Sequence, residues 1–374
     1  MNLVVLLLTL LAFFSITLFE TALILVLLYY AFLCIKREEI PKGILMPPLL
    51  LYAIPTFLST LFFAPNLIDK GIERSLFLLL YLAGSRVEAN ENYLHRLNLL
   101  LILIGIALIP IVLYRFSTMG EPAPFWGGWF EVGTFYSLFS LSSLSLFLKT
   151  RRLKYLMLFF LFISLVFFSG RRSVMLSLGI TLVLFFFLIR RFIKIRHMVI
   201  LWLSFMLIGM TFSYFFMQKD VRFQALYKVF VGDKGLNQET LNTISSVRWN
   251  NLKAGIEVIR RDVQQRDLLP LLIGHGINPG ERLSVKPAIG STYESFFFIS
   301  ELIERGLLGI VGILWSFFAY YSFLFRFRVR EFLFLPFLLM PSVMFIGSIF
   351  TVFWDALLPL YLLYFRMVEK HRKA

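Results

Sequence analysis

Apolar runs of roughly 15 to 20 residues follow one another along almost the whole chain, separated by short polar breaks rich in arginine and lysine. About 20 helical residues cross the hydrocarbon core of a bilayer. The period-two alternation of a transmembrane β-barrel is missing. The pattern predicts twelve spanning helices, at 3–19, 21–35, 43–63, 70–84, 97–114, 129–148, 155–169, 173–189, 198–217, 306–325, 332–350 and 352–366. The first two runs can also be read as one long tilted helix, and the fourth is weak. One long polar segment, residues 218–290, separates the ninth and tenth runs. It is too poor in apolar residues to fold alone. Residues 1–374 therefore read as one transmembrane domain, an all-α polytopic bundle, with 218–290 as a large loop inside it.

Composition agrees: 59% of residues are hydrophobic and the mean hydropathy is +0.81. Residues 1–19 lack a basic n-region and a small-residue cleavage site, so they read as a first span and not as a cleaved signal. Cys34 is the only cysteine, and the four histidines are scattered. No disulfide, metal or cofactor is expected.

The net charge of +15 raises the question of nucleic acid. Twenty of the 37 Lys and Arg, however, fall in alternate short loops and the C-terminal tail, beside only six glutamates. By the positive-inside rule that side is cytoplasmic, with both termini inside and 218–290 facing the periplasm. The excess charge is topological, so the expected partner is a bilayer and not nucleic acid.

Arg171 and Arg172, in "FFSGRRSVML" (167–176), run against that rule, since the turn between spans seven and eight lies on the outer side. Taken alone, two arginines snorkelling from a helix end account for them. Other charges gather on the same side. Ser245 and Ser246 are good N-caps for "VRWNNLKAGIEVIRRDVQQRD", where Val247, Leu252, Ile256, Ile259 and Val263 recur at helical spacing. Arg248 sits in its first turn, where backbone N–H groups and the helix dipole favour an anion. "LLIGHGINPG" supplies a Gly-rich turn in which His275 reads as structural. The segment 293–305 of "STYESFFFISELIERGLLGIVGIL" reads as a helix with Glu294 and Glu301 on one face and Glu304 nearby. Carboxylates beside Phe296, Phe297 and Phe298 are costly unless paired, and Arg171, Arg172, Arg248 and Arg305 are available. The outcome is either a structural ion-pair network or a charged pocket at the membrane edge.

This arrangement resembles the O-antigen polymerase and O-antigen ligase superfamily of bacterial glycan assembly. Members have about twelve spans, termini inside and a large periplasmic loop between spans nine and ten. "FSGRRSVML" (168–176) is similar to the family's serine–arginine turn, and "VRWNNLKAGIEVI" with "LLIGHGIN" to its arginine-bearing helix and Gly turn. "SFFFISELIERGLLGIVGIL" (295–314) is similar to its glutamate-x-glycine segment before a span. The resemblance implies a C-type glycosyltransferase fold in the bacterial inner membrane and metal-independent chemistry on undecaprenyl-pyrophosphate-linked glycans at the periplasmic face. A chain-length regulator or a flippase is the kind of protein partner it implies. Arg172 and Arg248 then act as catalytic and phosphate-binding groups, with Arg171 and Arg305 as further substrate contacts.

One departure bears on the chemistry. Ligases carry a histidine–asparagine pair about nine residues before that glutamate, where this chain has Ser295 and Phe296. That favours a polymerase joining repeat units into surface polysaccharide over a ligase transferring glycan to lipid A core or another acceptor. Without the histidine, Glu294 is the candidate general base, with Tyr293 orienting the sugar. The competing reading has Glu294 only hold an arginine in place. From another class, a lipid-linked oligosaccharide flippase would show repeat symmetry and charges within its spans. No such repeat is evident.

Overall fold

The structure, a computed structural model, describes residues 1–36, 42–192, 194–295 and 298–371. It is all-α, with no strand among the described residues. Polar breaks set the helix ends. Helices α1 (Asn2–Phe14), α2 (Ile16–Ile35) and α3 (Met46–Phe63) precede a short amphipathic α4 (Ile68–Leu76) and a 3-10 stretch, Phe77–Arg86. Asn90 caps α5 (Glu91–Met119) by accepting from the Tyr93 amide, and Gly120, with φ +74°, ends it. Next come α6 (Trp129–Thr150), α7 (Leu153–Phe168), α8 (Arg172–Ile189) and α9 (Ile195–Lys219). The long polar segment folds into α10 (Val221–Val231), α11 (Gln238–Ser245), α12 (Arg248–Gln265) and α13 (Leu268–Ile273). The chain ends with α14 (Ile299–Arg326), α15 (Leu335–Ser348) and α16 (Leu358–His371).

Among the described residues six helices, α2, α3, α5, α6, α8 and α14, are long and apolar enough to cross a membrane. Asn2–Phe14, Leu153–Phe168, Val199–Phe212 and Phe332–Ser348 are apolar but shorter. The run at 70–84 is not a single helix. Asp69, Lys70, Glu73 and Arg74 make α4 amphipathic, and the 3-10 stretch after it packs tightly on α16. A Cβ on Gly84 would lie 2.4 Å from the Leu363 carbonyl oxygen, which shows how close that approach is. The last helix starts at Leu358 and not near 352, because Asp355 closes a turn by accepting from the Leu357 amide at 2.9 Å.

Helices buried on every side form the centre, as their all-round apolar surfaces require. The spanning window of α6 is 89% buried, and nearly every residue of α15 and α16 is enclosed. Ser137 and Ser143 of α6 bond back to the Gly133 and Phe139 carbonyls, so close packing leaves those hydroxyls satisfied.

Gly306 breaks α14. Its φ of +64° and ψ of −169° are open to glycine and to almost nothing else. The break frees the carbonyls of Ile303 and Glu304, which accept from the His275 and Gly276 amides at 2.7 and 3.0 Å. The Gly-rich turn is thus a docking element for the broken helix. Replacing Gly306 by alanine is expected to lower the detergent-solubilised melting temperature well beyond Gly120→Ala. Both positions have positive φ, but a Cβ at 306 meets Leu272 backbone at 2.4 Å, whereas one at 120 meets nothing within 4 Å. Equal losses would mean that the close approach is unimportant.

Candidate functional site

The turn between α7 and α8 is shaped by its small residues. Ser169 donates to the Val166 carbonyl at 2.6 Å, and Gly170 takes φ +65°. That turn leaves Arg171 as the N-cap of α8 and Arg172 as its first residue. The N-terminal part of α6 packs directly beneath, where a Cβ on Gly133 would sit 3.0 Å from the Ser169 hydroxyl.

A second pair of elements meets this turn. Asp220 caps α10 by accepting from the Arg222 amide at 2.8 Å and holds the Arg222 guanidinium by a forked ion pair. Burial opposes ionisation of Asp220, but its bonds from Arg222 win and hold its pKa below the usual carboxylate value. Between α11 and α12, Ser246 and Val247 both take positive φ, +55° and +66°. The helix therefore starts at Arg248 rather than directly after the serines. Ser245 still caps it, from within the end of α11, by accepting from the Trp249 amide at 3.0 Å.

These elements enclose a cavity of about 360 Å³. Arg171, Arg172, Arg222 and Arg248 line it, with hydroxyl-bearing Ser173, Ser245, Ser246 and Ser295 and apolar Leu176 and Phe350. Arg172 donates to the Ile244 carbonyl at 2.5 Å, and Arg248 donates to the Phe350 carbonyl. Arg248 also pairs with Glu294 at 2.6 Å. Four guanidinium groups thus meet two carboxylates, Asp220 and Glu294. Among the described residues no carboxylate pairs with Arg171 or Arg172, and the buried Nε of Arg171 has no hydrogen-bond partner. Burial, then Arg248, pulls the Arg171 pKa down. Arginine nevertheless stays charged at working pH. The cavity therefore favours an anion with several acceptor oxygens, which guanidinium forks bind bidentately.

Of the residues singled out from sequence, the structure brings Arg171, Arg172 and Arg248 to this one cavity, together with Arg222, which the sequence did not flag. Tyr293 and Arg305 lie elsewhere. Tyr293 is fully buried with Val258 and Ile303, and its hydroxyl donates to the Val285 carbonyl, so it is not free to orient a sugar. Arg305 is 1% exposed, bonded to Glu301 at 2.5 Å and Glu304 at 2.8 Å, and donates to Thr56 at 3.0 Å. It belongs to a separate buried network and does not line the cavity. The expected helix over 293–305 starts only at Ile299, because Phe298 takes φ +60°. Glu294 is therefore off the helix and shares no face with Glu301. Phe296 and Phe297 lie outside the described residues, and Phe298 is buried against Phe317.

No family model matches the chain. It is 41% identical over 364 residues to an uncharacterized protein of Aquifex aeolicus (strain VF5), an alignment covering 96% of this chain and 94% of that protein. The chain belongs to that protein's family.

A further acid stands close by. Phe350 lines the cavity, and the non-helical segment 349–357 that carries it also carries Asp355. Burial, then the Glu131 carboxylate, raises the Asp355 pKa to about 7. Glu131 in turn is within electrostatic reach of Arg171. The folded chain keeps a proton on Asp355 that an unfolded chain releases near pH 4. Its contribution to stability therefore falls as pH rises from about 4 to 7. Asp355→Asn removes this titration. The variant is expected to melt above wild type at pH 8, with the gap closing at pH 5. A gap independent of pH would exclude Asp355 as the cause.

Proposed function

We propose that the chain is an integral membrane glycosyltransferase that polymerises lipid-pyrophosphate-linked glycan repeat units into surface polysaccharide. The observation that carries this is the unbalanced charge of the cavity, four arginines against two carboxylates. A doubly esterified pyrophosphate bears two negative charges, one per phosphate, which matches that excess. It is also a good leaving group once donors stabilise its developing charge. On this proposal the chain is a multi-pass bacterial inner-membrane protein with the cavity at the periplasmic surface, and stands among the O-antigen polymerases. The resemblance in its motifs supports this. Arg171, Arg172, Arg222 and Arg248 clamp the pyrophosphate. Glu294 orients Arg248, to which it is bonded at 2.6 Å.

The test is reconstitution with a defined lipid-pyrophosphate-linked repeat unit. A product ladder is expected; a single transfer to a different acceptor indicates a ligase, and translocation without transfer a flippase. Loss of one charged hydrogen bond costs about 1.5–3 kcal/mol, or roughly ten- to a hundred-fold in rate if made in the transition state. Arg172→Ala and Arg248→Ala should each fall in that range, with lysine restoring only part because it lacks the fork. Glu294→Gln should weaken donor binding together with turnover. A double Arg172→Ala, Arg248→Ala variant with wild-type output at normal membrane levels would refute the clamp.

Orientation is testable separately. In a Cys34→Ser background, Gly235→Cys in the segment after α10 is expected to react with an impermeant maleimide added outside intact spheroplasts. Labelling only after lysis would place the cavity on the wrong side for this substrate.

A further inference from the structure

The hairpin of α10 and α11 presents an apolar tip that the other described residues leave exposed. Phe230 is 91% exposed, and Leu226, Tyr227, Val231 and Leu236 are exposed around it. Residues 226, 227, 230 and 231 stand at helical spacing and form one face. On another side of the hairpin, Lys228 and Lys234 line a small polar groove of about 190 Å³. Aromatic and aliphatic side chains so exposed, beside lysines, match a helix lying in a membrane interface better than one in water.

Depth agrees. Only Asp220 separates the end of α9 from the start of α10. The Phe223 ring lies 5.5 Å from the Arg172 guanidinium at the start of α8. The hairpin therefore leaves the bundle at the level where α8 begins and α9 ends. On α9, Leu203, Leu207, Met210 and Tyr214 are also exposed, so the bare apolar surface continues from that helix onto the tip.

We propose that this tip docks into the headgroup–acyl boundary of the leaflet on the arginine side, with Lys228 and Lys234 against anionic headgroups. The apolar face supplies insertion, and each lysine adds electrostatic attraction that falls off within a Debye length. The same hairpin carries Arg222, Ser245 and Ser246 to the cavity. A docked tip therefore holds the cavity at headgroup depth and leaves its mouth open to a lipid-borne anion. Docking stands without the proposed reaction; the identity of the lipid-borne anion rests on it.

The probe is a nitroxide on Phe230→Cys in a Cys34→Ser background, in nanodiscs containing phosphatidylglycerol. Molecular oxygen is expected to relax it more than a water-soluble nickel chelate does, as at Leu207→Cys on α9. Lys228→Glu with Lys234→Glu should move the label severalfold toward the chelate. Preferential relaxation by the chelate in the Phe230→Cys protein would overturn docking. Dipolar coupling between labels on two copies would instead assign the tip to a dimer and also overturn it. An unmoved label in the double glutamate variant would overturn the headgroup contact. None of these readings depends on glycan transfer, so loss of the proposed activity and loss of docking remain distinguishable.

Discussion

A guanidinium buried between two carboxylates is the constraint on which the cavity depends. Arg305 bonds Glu301 and Glu304, and Arg74 of α4 reaches Glu304 at 3.3 Å. The second oxygen of Glu301 accepts from the Phe353 amide at 2.7 Å, and Thr56 of α3 accepts from Arg305. One cluster thus ties α3, α4, α14 and the segment 349–357 together. Removing one member of such a buried pair typically costs about 3–5 kcal/mol, because an unpaired charge is left behind. The cluster does not line the cavity, yet it sets it. Pinning Phe353 fixes the segment that presents the Phe350 carbonyl to Arg248.

Most helices were legible because a long apolar run has few alternatives to a helix in or beside a bilayer. The element at 70–84 was not. Its apolar content suggests a span, but its first part belongs to α4 with the charges of Asp69, Lys70, Glu73 and Arg74, and the partner of the 3-10 stretch that follows, α16, is nearly 290 residues away in sequence, where local pattern has no reach. The polar segment 218–290 reads as too poor in apolar residues to stand alone. It settles on the bundle through side-chain bonds such as Arg172 to Ile244.

The arginine cluster was partly legible for a physical reason. Arg171 and Arg172 break the charge rule of the other loops, and Arg248 follows capping serines. Arg222 has no such flag, because its carboxylate partner lies two residues away and makes it look locally neutral. Arg305 was readable as structural: Glu301 stands four residues earlier on the same helix and claims it. The grouping of Glu294 with Glu301 failed because one left-handed residue, Phe298, delays the helix, and nothing in a phenylalanine announces positive φ.

The junction at Ser246 and Val247 behaves as a stiff elbow. A β-branched residue held at φ +66° costs of order 1–3 kcal/mol, and glycine would relieve it. Glycine would also open many more backbone states at the one point from which Arg248 is aimed. Valine has few basins to visit, so the guanidinium faces the cavity before any ligand arrives. An anion entering there meets a group whose freedom was already lost on folding, and association gives up correspondingly little entropy.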